Sequence, residues 1–316
     1  SDALFGYGIP AACCADGPSG LHYDGKAVQL PIATALSSSW NDKLVRELYT
    51  MEGEEVRRNQ VDTLLGPGVN IHRHPLNGRN FEYYSEDPYL SGMMAVASAG
   101  GIKDGGVWGT IKHFALNGQE AHRFKIDAVC SERAIREIYL KSFEMAVKEK
   151  TVMALMTSYN PINGHWAASN YDLCTTVLRG EWGYEGIVMT DWRAKMNDVV
   201  EGGEESNQDT RDMVRSQNDV YMIVNNNGAE VNLNSDNTES SVEAGTLTVG
   251  ELQRAAMNIC NFILNAPVIE RELVDTDVAK YYPAVPVDKA EYQQFNLSDD
   301  NKVMFDCGKE ATMIVE

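Results

Sequence analysis

The sequence predicts an α/β fold in which parallel strands alternate with helices, and three observations carry that expectation. Apolar runs of strand length alternate with amphipathic stretches at roughly 30-residue intervals, a spacing that calls for helical crossovers between parallel strands. Strand after strand ends in residues able to do chemistry: "GPGVNIHR", "TIKHF", "MTSYN" and "VMTDW". No Gly-x-Gly-x-x-Gly turn follows any of these strands, which weakens the dinucleotide-fold alternative. Open doubly wound sheets and closed barrels both satisfy the alternation. Many strand ends converging on one site is the barrel arrangement, because the loops after all the strands share one face. The expected fold is a TIM-like (β/α)8 barrel over residues 1–265.

The elements follow in order. "KLVRELYTMEGEEVRRNQ" has a helical period, and "VDTLLGPGVNI" continues as strand and turn. "MMAVASAGGIKDG" reads as helix and "VWGTIKHFAL" as strand. "SERAIREIYLKSFEMAVKEK" opens on a Ser-x-x-Ala start and repeats apolar residues at Ile135, Ile138, Tyr139 and Phe143, the spacing of one helix face. "VMALMTSYN" is the next strand, "LCTTVLRGEWG" a helix and "EGIVMTDW" a strand again. "NDVYMIV" and the helix "TVGELQRAAMNICNFILNA" complete the alternation. Near 265 the character changes. "NAPVIERELVDTDVAKYYPAVPV" carries prolines without a helical period, so residues 266–288 read as a linker. Residues 289–316 alternate like β-strands and stop in what reads as mid-strand, the incomplete opening of a further β-rich module. The abrupt start at "SDALFGYGIP", without an initiator Met, suggests a piece of a longer product.

Composition narrows the partners. The chain of 316 residues is 43% hydrophobic and 23% charged, ordinary for a folded protein with a sizeable core. A formal charge of −19 argues against nucleic acid and anionic membranes, which want clustered Lys and Arg. No apolar stretch approaches the roughly 20 residues that cross a bilayer. The acidic runs "EGGEES" and "SDDN" read as solvated surface. Six cysteines, at 13, 14, 130, 174, 260 and 307, show neither CxxC nor a disulfide framework. Buried free thiols are the expectation, favouring a cytoplasmic compartment over secretion. With six histidines and no HxxxH or HExxH, neither a metal nor a cofactor is expected.

"GIVMTDWRAK" concentrates the question of function. Ile187, Val188 and Met189 climb as a buried strand and stop at Asp191 and Trp192. A buried strand-end carboxylate costs several kcal/mol unless it is hydrogen-bonded or paired. Arg193 and Lys195 follow it, so a structural salt bridge is one reading. A reactive group at a pocket mouth is the other. The remaining strand ends supply Asp16, Arg79, Lys112, His113, Arg123 and Tyr159. Donors and carboxylates of this kind suit a molecule rich in hydroxyls.

At this point the motifs form a recognisable series. "CADGPSGLH", "GPGVNIHRHPLNGRNFEYYSEDPYL", "TIKHFALNGQEAHR", "SERAIREIYLKSFEMAV", "MTSYNPINGHW" and "LRGEWGYEGIVMTDW" resemble, in order, the barrel domain of glycoside hydrolase family 3 over about residues 8–265. The resemblance implies a retaining exo-β-glycosidase, most simply a β-glucosidase acting on cello-oligosaccharides or aryl glucosides. It makes Asp191 the nucleophile, which attacks the anomeric carbon to give a covalent glycosyl-enzyme. For that role Asp191 must be ionised, so neighbouring cations are expected to lower its pKa. It also implies that Asp16, Arg79, Lys112, His113 and Arg123 hold the glycone hydroxyls. Tyr159 sits beside the nucleophile, and Met156 and Trp192 form apolar walls. Glu82, Glu86 and Asp87 are expected to support the site by pairing with its cations and stiffening their loop.

Three departures shape this expectation. The family's acid/base is usually a Glu of a separate α/β sandwich domain, and nothing after 265 is long enough to be that domain. The partner expected is therefore a sandwich domain from elsewhere in the parent protein, which in some members precedes the barrel. "KHFALNGQEAHR" stands where the N-acetylhexosaminidase branch carries "KHFPGHG", which argues against that branch. "DGPSG" keeps Asp16 where β-xylosidase-like members have Glu, favouring a substrate with a hydroxymethyl group. One methylene of pocket space discriminates by only about 1 to 3 kcal/mol, so dual β-glucosidase/β-xylosidase activity stays open. So do a non-catalytic sugar-binding barrel and a homo-oligomeric state.

Overall fold

The computed structural model describes residues 8–22, 27–223, 232 and 234–270. Five parallel strands form its main sheet: β1 (Cys14–Asp16), β2 (Thr63–Leu65), β3 (Trp108–Phe114), β4 (Ala154–Thr157) and β5 (Ile187–Met189). They lie side by side in chain order, and every pairing between neighbours is parallel. A doubly wound sheet reverses its strand order at a switch point. Here the order never reverses, which is the singly wound course of a TIM-like barrel. The predicted strand "NDVYMIV" appears as a bridge in which Val220 pairs with Met189, and its last residue, 224, lies outside the described residues.

The crossovers are helical because their sequences cap and pattern them so. In α1 (Asp42–Arg58), the Asn41 side chain accepts from the Leu44 amide at 3.0 Å, and Arg57 and Arg58 occupy the last turn, where cations meet the negative helix end. Leu44, Val45, Leu48, Tyr49 and Val56 form its buried stripe. The next helix, α2 (Pro88–Asp104), starts on Asp87, whose carboxylate caps Leu90, with Pro88 in the first turn. Glycine lets the two helices touch: a Cβ on Gly101 would collide with the Arg46 carbonyl oxygen.

Elsewhere the predicted helices are less regular. The stretch "SERAIREIYLKSFEMAVKEK" is interrupted: Ser131 caps a short turn, residues Ile135–Tyr139 are π-helical, and α3 (Lys141–Lys148) follows. The predicted face breaks there, so Phe143 is buried while Ile138 is exposed. The crossover Asp172–Glu181 is also π-helical. The last helix, α4 (Val249–Leu264), begins with a reciprocal cap between Thr248 and Glu251.

Alternation along the strands sorts their side chains onto two faces. Leu64, Ile111, Leu155 and Val188 join the core beneath the helices, with Leu48, Val56, Met94 and Phe143. Leu65, Ala154, Met156, Ile187 and Met189 point the other way and pack with Phe262, Ile263, Ala266 and Val268. The end of α4 thus fills the inner face. Pro267–Glu270, within the predicted linker, forms a 3-10 turn with Val268 fully buried. The rest of that linker and the β-rich segment at 289–316 lie outside the described residues. Among the described residues, Cys14, Cys130, Cys174 and Cys260 are free thiols, and of these only Cys174 is fully buried. No described helix is long and apolar enough to cross a membrane.

Candidate active site

Asp191 lies on the inner face, two positions beyond Met189, at the carboxyl end of β5. It is 7% exposed. One of its oxygens, Oδ1, accepts from the Trp192 backbone amide at 2.7 Å, and Oδ2 stands 3.9 Å from His113 Nε2. The two cations that follow it in sequence do not pair with it. Lys195 bonds Glu205 at 2.8 Å and lies over the Trp166 ring, while Arg193 is exposed. The salt-bridge reading of Asp191 therefore fails, and its neighbours come from other strands.

The inner face of β1 ends on Asp16 and that of β3 on Lys112. Lys112 is buried and reaches Asp16 Oδ1 at 3.3 Å, leaving the Asp16 side chain 55% exposed. The register of β3 against β4 shifts between Ile111 and Phe114, an irregularity of the kind that re-aims side chains. Successive residues Lys112 and His113 accordingly lie beside Asp16 and Asp191 respectively. Asn70 clamps the His113 backbone, accepting from its amide and donating to its carbonyl, each at 2.8 Å.

Arg79 stands in the loop after β2, where it pairs with buried Glu82. That contact holds the cation in place, as expected for Glu82. Asp87 instead caps α2, and Glu86 is exposed. Arg123 bonds Glu120 at 2.8 Å, and its guanidinium lies 4.7 Å from the Tyr159 ring centre and 5.0 Å from that of Phe124. The Tyr159 hydroxyl donates to the Trp192 carbonyl at 2.8 Å, close enough to Asp191 for the two groups to shift each other's pKa. Met156 is buried in the inner-face cluster, with half-buried Trp192 packed against the same cluster. Every residue singled out in the sequence thus lies at the carboxyl end of the sheet or in the loops above it.

Electrostatics corrects one expectation. Arg79 and Lys112 do lower the Asp191 pKa, as do the Trp192 amide and the Tyr159 hydroxyl, but burial outweighs them and the net shift is upward. Desolvation of a carboxylate this deep exceeds the pull of cations that are themselves partly engaged with Glu82 and Asp16. His113 moves the other way. Burial first, then Arg79, Lys112 and Arg123, push its pKa well below the ordinary 6.5, so the ring is neutral. Burial also raises the Tyr159 phenol, and the nearby Asp191 charge adds to it.

Sequence reasoning left Tyr83, Asn117, Glu120 and Phe124 without a role. Tyr83 Oη lies 2.9 Å from both His113 Nδ1 and Asn117 Nδ2, and Asn117 also reaches Glu120 at 2.9 Å. The three-residue spacing Asn117, Glu120, Arg123 was a visible signal. Phe124, 45% exposed, meets the Tyr159 ring edge-on at 4.5 Å between centres.

The comparisons agree with this geometry. Residues 5–262 match the glycosyl hydrolase family 3 N-terminal domain. A beta-glucosidase of Ruminococcus albus is 48% identical over 296 residues, which is 92% of this chain and 31% of that protein. An exo-alpha-(1->6)-L-arabinopyranosidase of Bifidobacterium breve is 47% identical over 200 residues, 59% of this chain and 26% of that protein. The crystal structure of a beta-glucosidase from Paenibacillus barengoltzii superposes with a TM-score of 0.85 at 64% identity, over 87% of this chain and 30% of that one. The structure of beta-glucosidase 3B from Thermotoga neapolitana in complex with glucose gives a TM-score of 0.77 at 37% identity, over 92% of this chain and 39% of that one. The chain spans about a third of the length of such relatives. Its sheet order, its strand-end residues and these matches agree: the chain belongs to glycosyl hydrolase family 3, as the family's N-terminal, TIM-like barrel domain.

Proposed function

We propose that this chain is the nucleophile-bearing barrel of a retaining exo-β-glycosidase, with non-reducing-end β-glucosides as substrates. The single observation that carries the reading is the setting of Asp191. It is a nearly buried carboxylate without a direct salt bridge to Lys or Arg among the described residues, flanked by a neutral imidazole and a phenol, with Arg79, Lys112 and Arg123 around them. In the proposed reaction Asp191 attacks the anomeric carbon as the glycosidic bond breaks, and water later hydrolyses the glycosyl-enzyme. Arg79, Lys112, His113, Arg123 and Asp16 hold the ring hydroxyls, and charge-assisted bonds grip the ring while it distorts. Trp192 and Met156 cover its C–H surface.

A second carboxyl group is needed to protonate the leaving oxygen. Among the described residues, the other carboxylates around this site already have partners: Asp16 with Lys112, Glu82 with Arg79, Glu120 with Arg123 and Asn117. We assign the acid/base to a further domain of the parent protein, in keeping with relatives about three times longer. The test is a 2-fluoro aryl β-glucoside followed by peptide mass analysis. One sugar mass on the peptide containing Asp191 is expected; labelling that persists in Asp191→Asn would remove Asp191 from this role.

A second reading concerns the glycone. The relative named as an arabinopyranosidase is nearly as similar over its matched region as the beta-glucosidase, so a pentopyranoside is the competing substrate. Comparing kcat/KM for aryl β-glucoside and aryl α-L-arabinopyranoside separates the two, and a higher value for the latter would replace glucose.

A further inference from the structure

Behind His113 runs a hydrogen-bond chain whose polarity is set at its far end. The Glu120 carboxylate accepts only: Oε2 takes Arg123 Nη1 at 2.8 Å and Oε1 takes Asn117 Nδ2 at 2.9 Å. The second hydrogen of Asn117 Nδ2 goes to Tyr83 Oη at 2.9 Å. Tyr83 Oη, accepting there, has one proton to give, and His113 Nδ1 lies 2.9 Å away. That nitrogen must then offer its lone pair. The single proton of the neutral ring is left on Nε2, which faces Asp191 Oδ2 at 3.9 Å.

We infer that Tyr83, oriented by Asn117 and Glu120, is a positioning residue that locks His113 in its Nε2–H tautomer, making the imidazole a standing donor to a sugar hydroxyl beside Asp191. The inference rests on reading this pocket as the glycone site. The opposite tautomer fares worse on every count. A proton on Nδ1 would point at a hydroxyl oxygen that already accepts from Asn117, the Tyr83 proton would lose its acceptor, and the Nε2 lone pair would face a carboxylate. Tyr83, His113 and Asn117 are all buried, so water does not readily substitute for a lost partner, and a mismatch costs more here than in solvent. The groups facing the ring also discourage a second proton. Burial and the cations Arg79, Lys112 and Arg123 oppose the imidazolium, against the Asp191 carboxylate facing Nε2 and that of Glu120 at the far end of the chain. The ring is held as a donor, neither an acceptor nor a cation.

Nitrogen-15 NMR of histidine-labelled protein reads the tautomer directly, without substrate. Wild-type His113 is expected to give the pattern of a neutral ring protonated at Nε2. Tyr83→Phe is expected to give a mixed or Nδ1–H pattern, together with a rise in KM for an aryl β-glucoside of about ten-fold at nearly unchanged kcat, since a uniform binding contact is lost. Asn117→Ala, which leaves the Tyr83 ring in place, should loosen the tautomer in the same direction. A wild-type ring protonated at Nδ1 or at both nitrogens overturns the inference. So does an Nε2–H pattern that survives both substitutions. Glucose titration separates this from the site reading: a locked tautomer that does not respond to glucose, in a protein that takes no label on Asp191, upholds the lock and sinks the glycone assignment.

Discussion

The guanidinium of Arg123 lies 4.7 Å from the centre of the Tyr159 ring, whose hydroxyl donates to the Trp192 carbonyl next to Asp191. One cation thereby steadies the phenol beside the proposed nucleophile, while its other contact, with Glu120, anchors the chain leading to His113. Arg123→Ala removes both. A desolvated cation–π contact is worth up to about 2 kcal/mol, so kcat/KM for an aryl β-glucoside should fall by roughly 10- to 30-fold. Arg123→Lys should recover little of it, because an ammonium lacks the planar fork that stacks and pairs at once. Steady-state kinetics on the three proteins checks this.

Lys112 lowers the Asp191 pKa against burial, which raises it. The nucleophile acts as a carboxylate, so activity is lost as pH falls through its pKa. Removing a lowering influence raises that pKa. Lys112→Met should therefore move the acidic limb of kcat/KM to higher pH, on top of a loss of affinity from the freed Asp16. An acidic limb that stays in place would mean that another group governs it.

Glu52 of α1 accepts from the Gly20 amide at 2.9 Å and so ties down the loop that follows Asp16, while its Oε2 is buried without a partner. Burial raises its pKa well above 4.5, and Glu55 adds to the rise. A carboxyl shifted upward contributes its stability in full below the unfolded value, and loses it as pH rises through the folded one. At neutral pH Glu52→Gln should then match or exceed the wild type in thermal stability, with the difference vanishing near pH 4. Glu52→Ala should cost about 1–3 kcal/mol. Melting curves at the two pH values decide it.

Arg179 and Asp219 form a buried pair at 2.6 Å, and Asp219 also accepts from the Val188 amide at 2.9 Å and from Asn258. Their partnership pins the strand that ends in Asp191. Removing one member of a buried pair typically costs about 3–5 kcal/mol, because the other charge is left without compensation. Arg179→Met should lose stability on that scale in urea, and Arg179→Met with Asp219→Asn should recover part of it.

Much of the site was legible because the chemistry is written at strand ends. Asp191, Lys112, His113 and Tyr159 each follow an apolar run, and a strand that stops at a polar residue exposes it at one edge of the sheet. Asp16 and Arg79 were found by motif. The interruption in the helix after Ser131 was not legible, since the apolar period there is regular and π-type hydrogen bonds leave no mark in composition. Nor was the role of Tyr83, which lies 30 positions from the imidazole it orients.

By itself, then, the sequence determined the order of strands and helices, the family, and which residue types stand at the carboxyl ends of the strands, because these depend on local period and local motif. Tertiary structure alone decided the partners and their balance. Lys195 turns to Glu205 while Asp191 faces His113; burial outweighs Arg79 and Lys112 in raising the Asp191 pKa, and acts together with Arg79, Lys112 and Arg123 in lowering that of His113. The reason is that desolvation and hydrogen-bond direction depend on what the rest of the chain packs around an atom, and that information is spread over residues tens of positions apart.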